Sequence, residues 1–314
     1  MDYFYNVHGV RAQLCMDGHE ELVKKLNVDY GWFLSTETEG TVDVKLFVNR
    51  KTDSDINLIK SICGNHIGID KNEFYFNGEH TEDERFYEDD FRPYFTTSIY
   101  YCLFMKSRDV MIHSSSVNFK NKVLVFIGDS GCGKSSLALR CVLDGASYFS
   151  NDVLYLNLKN NKIVAKALPQ ELNIGSQAYD WFSDNIDNFT DLCEEKFIEF
   201  LHKSTKRCIL PQTIKKDSIL EGDVSHVIFP EPMLNSKEPI MEEISLSLAI
   251  RKSYPQIFPM YKIGYYPDIG GLDLVNTLND MFVGDNEVKF YCLYWCSDHN
   301  KNLDLIKKVC KIDM

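Results

Sequence analysis

The stretch Gly128-Asp129-Ser130-Gly131-Cys132-Gly133-Lys134-Ser135 meets every fixed position of the phosphate-binding loop pattern G-x-x-x-x-G-K-[ST]. Before it, Val123-Leu124-Val125-Phe126-Ile127 is a short apolar, β-branched run that reads as a buried strand. After it, Ser136-Leu137-Ala138-Leu139-Arg140-Cys141-Val142-Leu143 spaces its apolar residues as a helix does. Strand, glycine loop and helix therefore stand in the order the pattern needs. Gly128, Gly131 and Gly133 let the backbone turn successive N–H groups inward, and the helix beginning near Lys134 adds the positive end of its dipole. The loop thus forms an anion cradle running from Gly128 through Asp129, Ser130, Gly131, Cys132, Gly133, Lys134 and Ser135 to Ser136. Lys134 is expected to reach the β- and γ-phosphates, and the Ser135 hydroxyl to ligate Mg²⁺. The expected ligands are ATP, or another nucleoside triphosphate, and magnesium.

Two hairpins flank the loop. Val110-Met111-Ile112-His113-Ser114-Ser115-Ser116-Val117 leads through the turn-like Lys120-Asn121 into the loop's strand. Downstream, Asp152 opens Val153-Leu154-Tyr155-Leu156-Asn157-Leu158, which turns at Asn160-Asn161 and returns as Ile163-Val164-Ala165-Lys166-Ala167. Phosphate-loop enzymes with an all-parallel sheet follow their acidic strand with a crossover helix. An antiparallel hairpin at that place points to a different architecture.

This order, from His113 to Asp152 with a weaker echo at Leu168-Pro169-Gln170-Glu171-Leu172-Asn173-Ile174-Gly175, resembles the catalytic domain of the HPr kinase/phosphorylase family. In such proteins a His-bearing strand precedes a G-x-S-G-x-G-K-S loop, the next helix ends near a glycine, here Gly145, and an Asp-Asp pair closes the unit. The resemblance implies an α/β chain with a β-rich N-terminal domain, 1–95, and an HPr-kinase-like catalytic domain with a mixed sheet, 96–314. It also makes a homo-oligomer plausible. Where the family carries Asp-Asp, this chain has Asn151-Asp152, so one carboxylate is absent. No E-x-R-G loop occurs either, which turns the resemblance away from HPr itself and toward related kinases encoded with modified-peptide pathways.

On this reading Asp152 either holds Mg²⁺ through water or accepts the proton of an attacking hydroxyl, while Asn151, whose amide is no base, orients a ligand or a hydroxyl. His113 stands as a catalytic candidate on the adjacent strand. Arg207, in the cluster Lys203, Lys206 and Arg207 after the amphipathic segment Asp191 to Leu201, is the best supplier of a further cation for the phosphate. The expected reaction is transfer of the ATP γ-phosphate to a hydroxyl, of Ser or Thr in a peptide or protein. A small hydroxylated metabolite as acceptor and a nucleotide-gated binding module with a weakened site both stay open. No Asn-Lys-x-Asp guanine-reading motif and no L-S-G-G-Q signature occurs.

The rest of the chain sets bounds. Its 314 residues, 44% hydrophobic, suffice for a substantial core, and a net charge of −12 disfavours broad contact with nucleic acid or anionic membrane. No apolar run approaches the ~20 residues of a membrane span, and the first residues lack a secretion signal, so a cytoplasmic location is expected. Ten cysteines without a Cys-x-x-Cys read as reduced thiols. Cys132, beside a helix N-terminus, is expected to favour its thiolate. The first hundred or so residues show strand signals at Tyr5 to Arg11, Val42 to Val48 and Asn72 to Phe76, then an acidic stretch, His80 to Asp90, read as a solvated loop. Thr96 to Met105 reads as a buried helix, and Gly270-Gly271-Leu272-Asp273 as a turn.

Overall fold

The computed structural model describes residues 2–16, 20–48, 58–60, 66–70, 73–77, 87, 91–120, 122–198, 204–214, 217, 219–233, 235–257, 271–285 and 287–312. Apart from Tyr87, the acidic stretch 80–90 lies outside them, as do Lys203 and Gly270. The chain divides between Asp109 and Val110 into two compact units.

In the N-terminal unit, β1 (Asp2–Val7) and β2 (Val10–Met16) pair antiparallel. Between them His8 and Gly9 adopt φ of 51° and 87°, the positive angles a two-residue hairpin turn requires. The run Tyr5 to Arg11, expected as one strand, is therefore the turn of a hairpin. Helix α1 (Glu20–Tyr30), unannounced in the sequence, buries Leu22, Val23, Leu26 and Tyr30. Strands β3 (Leu34–Ser35), β4 (Val44–Val48), β5 (Leu58–Lys60), β6 (His66–Asp70) and β7 (Glu73–Asn77) complete a seven-stranded sheet in the order β3-β1-β2-β4-β7-β6-β5. Helix α2 (Arg92–Ser107) contains the expected Thr96 to Met105 and ends at Arg108, whose left-handed backbone N–H caps the Phe104 carbonyl. It packs on β2 and β4 and so belongs to this unit, across the 95/96 boundary read from the sequence.

The second unit opens with β8 (Val110–Ile112) and β9 (Ser114–Phe119), so the run expected as one strand is interrupted at His113. Next come β10 (Lys122–Ile127), helix α3 (Lys134–Leu143), β11 (Ser147–Asn151) and the hairpin β12 (Leu154–Lys159) with β13 (Lys162–Ala167). Asn160 and Asn161 make the turn with φ of 55° and 58°, angles that asparagine tolerates better than most residues. A small sheet in the order β14-β16-β15 follows, from β14 (Leu172–Ile174), β15 (Glu194–Ile198) and β16 (Ser204–Ile209), with α4 (Ser176–Asn185) between its first two strands and α5 (Pro211–Ile214) after the last. The segment read as amphipathic is thus partly a strand, each residue of β15 pairing across to β16.

The long β17 (Glu221–Pro232) is the hub of the nine-stranded main sheet. It runs parallel to β10 and to β19 (Lys289–Trp295), and antiparallel to β13. Strand β18 (Ile240–Glu243) borders β19, followed in sequence by α6 (Leu246–Ser253) and α7 (Gly271–Gly284), while α8 (His299–Cys310) follows β19. Gly271-Leu272-Asp273 begins α7 instead of forming a turn. The chain is therefore α/β, a β-rich N-terminal sheet followed by a mixed sheet with helices.

Helix α3 buries Leu137, Ala138, Cys141 and Val142 against Leu124 and Phe126 of β10, Leu293 of β19, and Leu303 and Ile306 of α8. Full burial of each large side chain contributes roughly 1.5–3 kcal/mol, enough to fix the helix, and with it the loop that precedes it. Among the described residues no helix is long and apolar enough to cross a membrane.

Candidate functional site

Strand β10 ends at Ile127 and α3 begins at Lys134, so the glycine loop spans the gap between the carboxyl end of a central strand and a helix N-terminus. Gly131 and Gly133 adopt φ of 82° and 101°, values that L side chains rarely take. Gly133 is also crowded: a Cβ there would lie 2.8 Å from the indole of Trp295. That indole donates from Nε1 to the Cys132 carbonyl at 2.7 Å, so Trp295, at the end of β19, braces the loop from outside. Gly133→Ala is expected to cost roughly 1–2 kcal/mol in backbone strain and to push the indole off its bond. Tm is expected to fall, and any affinity of the loop for a nucleoside triphosphate, read by calorimetric titration, to fall at least about tenfold. Unchanged values of both would show that neither the angle nor the brace matters.

Lys134 is 5% exposed, and its ammonium donates to the carbonyls of Gly128 at 2.8 Å and Asp129 at 3.0 Å. Burial lowers its pKa, against the pull of nearby groups that include Asp152 and Asp129. The cation is held inside the loop, with the Asp152 carboxylate close enough to interact.

Asn151 is wholly buried at the end of β11. Its Oδ1 accepts from Ser115 Oγ at 2.7 Å and from Ser135 Oγ at 2.8 Å, and its Nδ2 donates to the Glu171 carbonyl at 3.1 Å. The bond to a carbonyl fixes which way the amide points. With its proton turned to Asn151, the Ser135 oxygen keeps its lone pairs for a cation. An aspartate at 151 would set a carboxylate oxygen against the Glu171 carbonyl, acceptor against acceptor. Asn151→Asp is therefore expected to destabilise the fold by about 1–3 kcal/mol, read from urea denaturation.

Asp152 follows with φ of 61°, and its Oδ1 lies 3.6 Å from Nε2 of His113. The interruption between β8 and β9 sets His113 at this place, about a quarter exposed and facing the half-exposed carboxylate. A neighbouring histidine and carboxylate can take up and hold a proton. Behind them, the His113 N–H donates to the Gln256 carbonyl at 2.7 Å, and Gln256 Nε2 donates to Asp129 Oδ1 at 2.6 Å.

The structure thus brings together Lys134, Ser135, Asn151, Asp152 and His113. Ser130 is exposed in the loop and Ser136 is partly buried in the first turn of α3. Arg207 lies on β16, paired with Ile174 and Glu195, its guanidinium 5.1 Å from the centre of the Tyr179 ring, and none of these groups belongs to the loop. Cys132 departs from expectation: burial pushes its thiol pKa up and outweighs the opposite pull of Lys134, so the thiol form is favoured. None of the nine described cysteines is in a disulfide.

Ser115, Gln256 and Trp295 are the site residues that sequence reading missed. Ser115 stands in a run of three serines on a strand, and only its pairing opposite Asn151 marks it out. Nothing local marks the other two.

Among the described residues no group of three or more His, Cys, Asp or Glu could hold a metal ion. Ser135, Ser115, Asn151 and Asp152 supply only hard oxygen donors, and few of them. That suits Mg²⁺, which keeps several waters and takes the rest of its ligands from phosphates.

No family model matches the chain, and no curated protein does. Among solved structures it is similar to the HPr(Ser) kinase/phosphatase from Coxiella burnetii, with a TM-score of 0.31 and 13% identity over 64% of this chain and 93% of that one. The likeness is remote. The chemistry of the site rests on this chain's own residues.

Proposed function

We propose that the chain is a magnesium-dependent kinase that transfers the γ-phosphate of ATP to a hydroxyl, that of a Ser or Thr in a peptide or protein. The observation that carries this reading is the 3.6 Å His113–Asp152 pair standing beside a phosphate loop whose lysine feels the Asp152 charge. The inward N–H groups of the loop and the Lys134 ammonium hold the β- and γ-phosphates. Ser135, its proton turned to Asn151, would offer its oxygen to the metal, which Asp152 would hold through a water. Mg²⁺, when bound, spreads the negative charge that builds up on the phosphate oxygens. Asp152 takes the proton of the acceptor hydroxyl as its oxygen bonds to the γ-phosphorus and the bond to the β-phosphate oxygen breaks, and the neighbouring His113 can hold that proton in turn.

A second reading, a nucleotide-gated binding module, draws on Asn151, which leaves a single carboxylate in the pair. Asn151→Asp separates the two. The amide's bond to the Glu171 carbonyl leads us to expect slower transfer in the variant; a large gain in rate would favour the degenerate module. The kinase reading itself is tested by mass spectrometry of transfer from Mg·ATP to Ser- and Thr-containing peptides and to free hydroxylated metabolites. A labelled peptide supports a peptide kinase, and a labelled metabolite moves the acceptor class. Tight Mg·ATP binding with no labelled acceptor would leave the module.

A further inference from the structure

We propose that Gln256 is a positioning residue that joins the phosphate loop to the His113–Asp152 pair, an inference that rests on the nucleotide reading above. Gln256 is 7% exposed and sits in the short turn Tyr254–Gln256 that follows α6. Its two polar ends serve different parts of the site. The side-chain amide donates to Asp129 Oδ1 at 2.6 Å, inside the loop, and the carbonyl accepts the His113 N–H at 2.7 Å, beneath the catalytic candidate. The next residue, Ile257, is buried and bridges to Ile112, the last residue of β8, so the segment is tied to Ile112 and His113 at consecutive residues. Four residues earlier, Lys252 pairs with Glu231 at the end of β17, which holds α6 over the same sheet.

The contact answers a problem in the sequence. Asp129 is an acidic residue within a loop built to hold anions, and a carboxylate turned toward the phosphates would repel them. A neutral donor at 2.6 Å holds that carboxylate in place and adds no charge. The same bond makes the position of Asp129 felt at His113 through one residue.

Amide hydrogen exchange, measured without nucleotide on the full chain, tests the link. In Gln256→Ala the His113 amide is expected to exchange at least about tenfold faster, relative to the amides of β10, as expected from losing one hydrogen bond to a charged acceptor. The double variant Asp129→Asn with Gln256→Glu exchanges donor for acceptor, and is expected to bring His113 protection back to within about threefold of the parent. A uniform rise across β10, no change at His113, or failure of the double variant to restore protection would each overturn the positioning role. Calorimetric titration of the same proteins with Mg·ATP is expected to show about tenfold weaker binding in Gln256→Ala, and equal affinity would overturn the loop half of the proposal. Absence of Mg·ATP binding to the parent protein would defeat the nucleotide reading, while the exchange measurement would still decide whether Gln256 positions His113.

Discussion

Lys134→Ala is expected to weaken Mg·ATP binding by roughly a hundred- to a thousand-fold, about 3–4 kcal/mol, and to abolish transfer. The size follows from where the ammonium sits. It is almost fully buried and already held by the Gly128 and Asp129 carbonyls, so its charge is poorly screened and largely immobile before nucleotide arrives. Truncation leaves those carbonyls without the amine but also removes a charge that burial disfavours, as the lowered pKa shows. The two effects oppose, so Tm is expected to move by only a few degrees. Asp152→Ala should behave differently: a half-exposed carboxylate is lost, Mg·ATP binding falls by less than in Lys134→Ala, and transfer disappears. Calorimetry alongside a transfer assay separates them. Retained transfer in both variants would sink the kinase reading.

The second large effect is on stability in acid. His299, the first residue of α8, is 4% exposed, stacks with Phe182 and Trp295 and meets Trp181 edge-on, and its Nδ1 has no hydrogen-bond partner among the described residues. Burial, helped by Arg140 and opposed by Asp298, pulls its pKa down from 6.5 to about 4. Between those values the unfolded chain binds the proton and the folded chain does not, so stability is lost as pH falls through that window. From pH 7 to pH 5 the loss from this one residue is about 2 kcal/mol. His226, lowered to about 4 chiefly by burial, adds in the same direction. Urea denaturation at the two pH values should show the drop, and His299→Phe should remove the share due to His299. A variant as acid-sensitive as the parent would show that this histidine is not the group that titrates. Because Trp295 touches both His299 and the loop, acid should also loosen the brace on Gly133.

What the sequence made legible was local. The glycine loop, its strand and its helix follow from spacing, and the β12–β13 hairpin follows from Asn160-Asn161, because each turn is encoded by the residues that make it. At His8-Gly9 the same chemistry was present, but the apolar residues on both sides read as one strand. Residues 194–198 were hidden for another reason: their pairing to β16, rather than their own pattern, makes them a strand. Lys134, Ser135, Asn151, Asp152 and His113 could be named because they lie within one stretch of chain. Trp295 lies far along the chain from the loop it braces, and Gln256 far from His113 and Asp129. A contact between distant segments leaves no periodicity in either, so only the fold reveals it.

The long β17 has a consequence for how the protein is made. Strands β9 and β10, and β12 and β13, close on themselves across short turns, and such local pairs form early. The other edge of the loop's own strand has to wait, because its parallel partner begins near Asp223 and the tryptophan that braces Gly133 stands at the end of β19. On a ribosome, a chain that had emerged only through β13 would carry the whole G-x-x-x-x-G-K-S sequence and still lack a finished cradle. The finished loop, with its parallel partner and its brace, is therefore expected only late in synthesis, with β17 and β19.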